Sequence, residues 1–157
     1  LAAAMQAAEP DLAWEVSHIG GDRFAPNVLV LPEALYYGRI DPDEAARFVA
    51  DHRAGKLDLD HLRGRSSLPF AAQAAEIHLR RHLDDPRMTA YPLVRHDRRE
   101  GDDGAVHSTA TFDVDGTLWA VDVRTHPGPP HRLTCRALRE ESPPVHDLVG
   151  ITSLGRA

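Results

Sequence analysis

The chain opens with an alanine-rich stretch, "LAAAMQAAEP" (Leu1 to Pro10). Alanine costs no side-chain entropy in a helix, so residues 1–9 predict a helix that Pro10 ends. The segment lacks a side-chain N-cap signal, and we expect it to continue from a longer upstream segment. "LAWEVSH" (Leu12 to His18) alternates apolar and polar residues, the period of a strand. "NVLVLP" (Asn27 to Pro32) is a short continuous apolar run, as in a strand covered on both faces. "ALYYGRI" (Ala34 to Ile40) is a third strand, close enough to pair with it as a hairpin.

The period then lengthens. "DPDEAARFVADHRAG" predicts a helix, with Asp41 as cap, Pro42 in the first turn and Glu44 completing a capping box. Ala45, Phe48, Val49 and His52 share a face, and Gly55 is the expected stop. A second helix follows, with Ser67 as cap and Pro69 in its first turn. Leu68, Ala72, Ala75, Leu79 and Leu83 form one apolar stripe, while Phe70 and Ile77 lie nearly opposite, so this helix is expected to bury more than one side. From about Tyr91 the pattern returns to alternation: "YPLVRHD", "AVHSTATFDVDG", "TLWAVDVRTH", "HRLTCRALRE" and "VHDLVGITS". Asp115-Gly116 suits a type I′ hairpin turn. This third of the chain predicts a small antiparallel sheet.

Composition narrows the function. The chain has 157 residues, 42% hydrophobic and 27% charged, enough for one domain or one domain with an extension. The net charge of −6 argues against nucleic-acid binding, which needs concentrated Lys and Arg. No apolar run approaches the length of a membrane span, and no secretion signal is visible. The single cysteine, Cys135, rules out a disulfide within the chain and points to a reducing, cytoplasmic setting.

The densest chemistry lies in "SHIGGDRFAPN" (Ser17 to Asn27). His18 ends the first predicted strand. Gly20 and Gly21 permit positive φ and close backbone approach, and successive N–H groups there can form a donor concavity for an anion or for sulfide. The plainer alternative is a tight turn with a hydrogen-bonded histidine. His78 and His82 have the i, i+4 spacing that can hold one metal ion, but they also fit an exposed helix face. His126 and His131 lie in a proline-stiffened loop, and Cys135 is most simply a small buried hydrophobe. Signatures of nucleotide-binding loops and of serine hydrolases are missing.

"SHIGGDRFAPNVLVLPEALYYGRIDP", "HLRGRSSLPFAAQAAE" and "HRLTCRALREESPP" together resemble actinobacterial members of the sucrase/ferredoxin-like family, over nearly the whole chain. The resemblance implies a thioredoxin-like α/β fold with helices against a central sheet. Residues 1–89 would be the ferredoxin domain and 90–157 a β-rich extension packed on it. It implies electron transfer through a [2Fe–2S] cluster to a redox protein partner. His18 would match the first histidine of the family's H-x-G-G-H motif. Asp22 stands where the second belongs, and carboxylates seldom ligate such clusters. Gly20, Gly21, Asp22, Arg23 and Asn27 would then wall a cofactor pocket, with His18 as ligand and Cys135 as a further candidate. The alternative is a cluster-free binding module on the same fold, holding a protein partner or small anion at the Gly-rich loop.

Overall fold

The computed structural model describes residues 1–134 and 137–156. It is a mixed α/β protein with two antiparallel sheets. Three helices are present among the described residues: α1 (Ala2–Ala8), α2 (Ala45–Arg53) and α3 (Phe70–Leu83). One sheet has the order β1 (Asn27–Val30), β2 (Leu35–Gly38), β3 (Leu62–Arg65). The other has β4 (Leu93–Glu100), β5 (Val106–Val114), β6 (Thr117–Pro127), β7 (Pro144–Arg156).

The hairpin of β1 and β2 forms as its spacing predicts, with Asn27 opposite Gly38 and Val30 opposite Leu35. β1 is an edge strand, however, and only half-buried. The strand covered on both faces is β2, flanked by β1 and β3. The segment from Leu12 to His18 makes no strand. Its alternation suits a one-sided strand, but no sheet strand lies beside it, so Leu12, Trp14 and Val16 stay 74%, 84% and 59% exposed.

Asp41 caps through its side chain, and its capping box with Glu44 is complete. This opens a 3-10 turn that leads into α2. Helix α3 starts one residue later than the Pro69 signal indicates. Pro69 is the cap residue, and the amide of Gln73 donates to its carbonyl. Ser67 makes no cap bond. The stretch "HRLTCRALRE" is not a strand in its described residues, 131–134 and 137–140. β6 pairs directly with β7, and this stretch is the connection between them.

Helix α3 is the shared wall of two cores. Its Ala72, Ala75 and Leu79 are fully buried against Tyr91, Ala110, Phe112, Val121 and Val123 of the four-stranded side. Ile77, on another face, packs on the cluster of Met5, Leu35, Tyr37, Ile40, Phe48, Leu57 and Leu62. Burying both faces of one helix explains why no polar stripe runs its length. Between the cores lies a buried charge network. Arg80, 0% exposed, donates through Nε and Nη2 to Glu76 Oε1 at 3.0 and 2.8 Å, and to the carbonyls of Arg87 and Thr89 at 2.7 and 2.6 Å. Its guanidinium lies 3.9 Å over the Tyr91 ring. Gly64 on β3 has φ 136, and a Cβ there would stand 2.5 Å from the Gln73 side chain. Glycine is what lets β3 approach α3.

The β5–β6 turn matches its sequence signal. Asp115 and Gly116 have φ 52 and 80, both positive as a type I′ turn requires, and Asp113 Oδ1 accepts from the Gly116 amide at 2.8 Å.

Candidate functional site

The loop from His18 to Asn27 is pinned from below by two side chains. Asn27 sits at the start of β1 and donates both amide hydrogens, to the Gly20 carbonyl at 2.9 Å and the Gly21 carbonyl at 3.0 Å. Tyr36 of β2 donates its hydroxyl to the Ile19 carbonyl and stands 2.9 Å from that of Gly20. Gly20 and Gly21 have φ 84 and 69, a left-handed turn that aims their carbonyls at these donors. The turn passes into a short 3-10 segment, Asp22–Phe24, closed by the Phe24 amide on the Gly21 carbonyl at 2.8 Å. So the glycines and Asn27 build the loop's shape. Burial raises the pKa of the Tyr36 hydroxyl, with the Asp22 carboxylate adding to the shift, and the phenol therefore stays a donor.

A second clamp holds the exit. The Arg39 amide donates to the carbonyls of Phe24 and Pro26 at 2.8 and 2.9 Å. Gly38 lies so close beneath that a Cβ there would meet Phe24 Cβ and O at 2.7 Å. Nothing in the alternation of apolar and polar residues marks Gly38 as a contact point. Its signal is visible only as a glycine ending a strand that faces the loop.

Around Phe24 the structure gathers arginines that sequence reading, apart from Arg23, did not single out. The guanidinium carbons of Arg23, Arg63 and Arg39 lie 4.5, 4.6 and 5.7 Å from one ring centre. They come from the loop, from β3 and from the residue after β2. Arg81 of α3 donates to the Leu59 carbonyl at 2.7 Å and its charge reaches Arg63. Among the described residues no carboxylate lies within ion-pair distance of any of the four. Other arginines, such as Arg47, Arg53, Arg87 and Arg124, have acidic partners at 2.6–3.2 Å. Arg63 Nε is buried with no hydrogen-bond partner. Desolvation, then repulsion from Arg39, Arg81 and Arg23, lowers the pKa of Arg63. Burial, then the charge of Arg23, lowers the pKa of His146 on β7, with His78 of α3 adding to the shift, so the imidazole is held toward its neutral form. Thr125 Oγ1 and His146 Nδ1 are 2.8 Å apart. The site thus lies where the three-stranded sheet, α3 and β7 meet.

His18 and Asp22 come together, with Nδ1 3.4 Å from Oδ1, and the histidine side chain is 66% exposed. Arg23 turns away from Asp22 and onto Phe24. Cys135 lies outside the described residues. Among the described residues no group of three His, Cys, Asp or Glu side chains is placed to hold a metal ion. The loop therefore offers one imidazole and one carboxylate. The other histidine pairs have local roles. His82 packs its ring on Trp119, with centres 5.8 Å apart. His126 pairs with Asp147 at 2.8 Å, and its Nδ1 donates to the Pro127 carbonyl. His131 donates to that of Pro129.

No helix among the described residues is long and apolar enough to cross a membrane. No family model, curated protein or solved structure matches the chain.

Proposed function

We propose that this protein is a ligand-binding module whose working face is the Gly-rich loop and the arginines beside it, and that it takes an anion. The observation that carries this is the meeting of Arg23, Arg39 and Arg63 around Phe24, with Arg81 near enough to repel Arg63 and no carboxylate among the described residues to pair with any of the four. Guanidinium groups stay charged in proteins. Packing four together, one with a buried and unpartnered Nε, opposes folding and is unexplained by packing alone. In a chain of net charge −6, guanidinium groups gathered at one ring make a local positive field that favours an anion. The loop is rigid because Asn27, Tyr36 and the Arg39 amide hold it, so little ordering cost falls on binding.

The test is thermal unfolding in a panel of anions at matched ionic strength, in wild type and Arg63→Gln. Multivalent anions also stabilise proteins by exclusion from the surface, and that part is common to both chains. The reading requires an extra rise in wild type. Equal rises in both chains would remove it.

A second reading is electron transfer by a thioredoxin-like [2Fe–2S] protein to a redox partner. The favouring observation is His18, whose exposed ring has Asp22 as its one ion-pair partner among the described residues and can act as a ligand. The described residues do not make up a set of four ligands, so the remainder would have to come from elsewhere. Iron and acid-labile sulfide on anaerobically purified protein decide this reading: about two of each per chain support it, and neither present removes it.

A further inference from the structure

We propose that the cationic face takes a ligand with two or more linked phosphate groups, gripped by Arg23, Arg63 and Arg39 at Phe24, with Arg81 adding positive charge beside Arg63. This rests on the anion-binding reading above and names its ligand class.

Charge count is the first argument. Four permanent positive charges converge from the loop, the end of β2, β3 and α3. A monocarboxylate would neutralise one of them and leave the others repelling. Linked phosphates carry several negative charges within a few ångströms. Geometry is the second argument. The two oxygens of a carboxylate are filled by the fork of one guanidinium. A phosphate presents its oxygens tetrahedrally and accepts from several directions at once, and a second phosphate extends that reach. Donors on four different elements suit the second shape and waste most of their hydrogens on the first. Arg63 supplies the third argument, because its Nε is buried without an acceptor and an anion on the accessible part of the guanidinium would offset that uncompensated charge.

A nucleic-acid backbone offers the same chemistry but needs a long basic track. Here the acids outnumber the bases over the chain, 24 against 18, and the arginines at Phe24 form a compact cluster and not a track. A small phosphorylated molecule is the occupant.

The experiment is isothermal titration of the full chain with inorganic pyrophosphate, inorganic phosphate and citrate at one ionic strength. Pyrophosphate is expected to bind at least about tenfold more tightly than either of the others, a gain that Arg63→Gln abolishes. Arg124→Gln, at an arginine already paired with Asp103, keeps it. If Arg63→Gln does not fold, Arg39→Gln replaces it. Arg39 is exposed and its side chain has no hydrogen-bond partner among the described residues, and its loss is expected to weaken pyrophosphate several-fold. Citrate binding as tightly as pyrophosphate overturns the phosphate assignment and leaves the anion reading standing. No heat with any of the three overturns both.

Discussion

Gly38→Ala tests whether the loop is held where the arginines need it. A methyl at this position would stand 2.7 Å from Phe24 Cβ, 2.7 Å from the Phe24 carbonyl oxygen and 3.1 Å from Asn27 Oδ1. Ordinary carbon contacts lie at about 3.5–4.0 Å, so the loop must withdraw by roughly 1 Å. The backbone at Gly38 has no unusual φ, so the cost comes from the contact and not from the conformation. Two of the three close atoms belong to Phe24, and one of those is backbone, so a rotamer change cannot relieve the clash. Overpacking of this kind costs about 1–3 kcal/mol. Withdrawal also lengthens the bonds from the Arg39 amide to Phe24 and Pro26, at about 1 kcal/mol each. The expected loss is roughly 3–5 kcal/mol. For a chain of this size that lowers Tm by about 9–15 °C. Phe24 moves with the loop, and Arg23 loses its place beside Arg63. Anion affinity should then fall at least about tenfold at a temperature where the variant is still folded. Urea unfolding and titration calorimetry on the same preparation measure both quantities. A variant with the wild-type midpoint would refute the close approach. A destabilised variant with wild-type anion affinity would refute the claim that the loop positions the site.

The remaining expectations concern the supports of the site and the cores. Asn27→Ala removes both bonds to the Gly20 and Gly21 carbonyls and should cost about 1–2 kcal/mol, read as a shift in urea midpoint with an unchanged slope. Arg80→Met strands the buried Glu76 carboxylate and should cost about 3–5 kcal/mol, whereas Glu76→Leu with Arg80→Met should recover most of that loss. Additive losses in this cycle would refute the pairing. The Arg87 guanidinium holds the Asp85 carboxyl well below the usual carboxylate range. That carboxylate therefore stabilises the fold above about pH 4, and the contribution disappears as pH falls through its lowered value. Asp85→Asn should be less stable than wild type at pH 7, and the gap should close in acid denaturation curves toward pH 2. A gap that is constant with pH would show that the ion pair is not its source.

Much of the local structure was legible in the chain. The capping box of Asp41 and Glu44, the Asp115-Gly116 turn and the alternation of β4 to β7 depend on neighbours a few residues away, and each formed where its residues indicated. The two-sided burial of α3 was legible in part: Ile77 packs on the second core, but Phe70, expected to be buried with it, lies in the first turn and stays 74% exposed. The Leu12–His18 segment shows the limit of such reading. Its alternation records a capacity to pair, and pairing needs a neighbour that local pattern does not supply. The same limit applies to the "HRLTCRALRE" connection.

The chain by itself determined where the unusual loop lies, that its glycines take positive φ, and which short-range turns and helices frame it. Only the tertiary structure decided what the loop faces. Arg39, Arg63 and Arg81 are spread over more than forty positions and read singly as ordinary solvated side chains. The turn of β2 into β3, the packing of α3 over β3 through Gly64, and the clamp on Phe24 bring them together with Arg23. Charge repulsion depends on distance in space. It therefore becomes visible only once the chain has folded and placed three like charges around one ring with a fourth beside them.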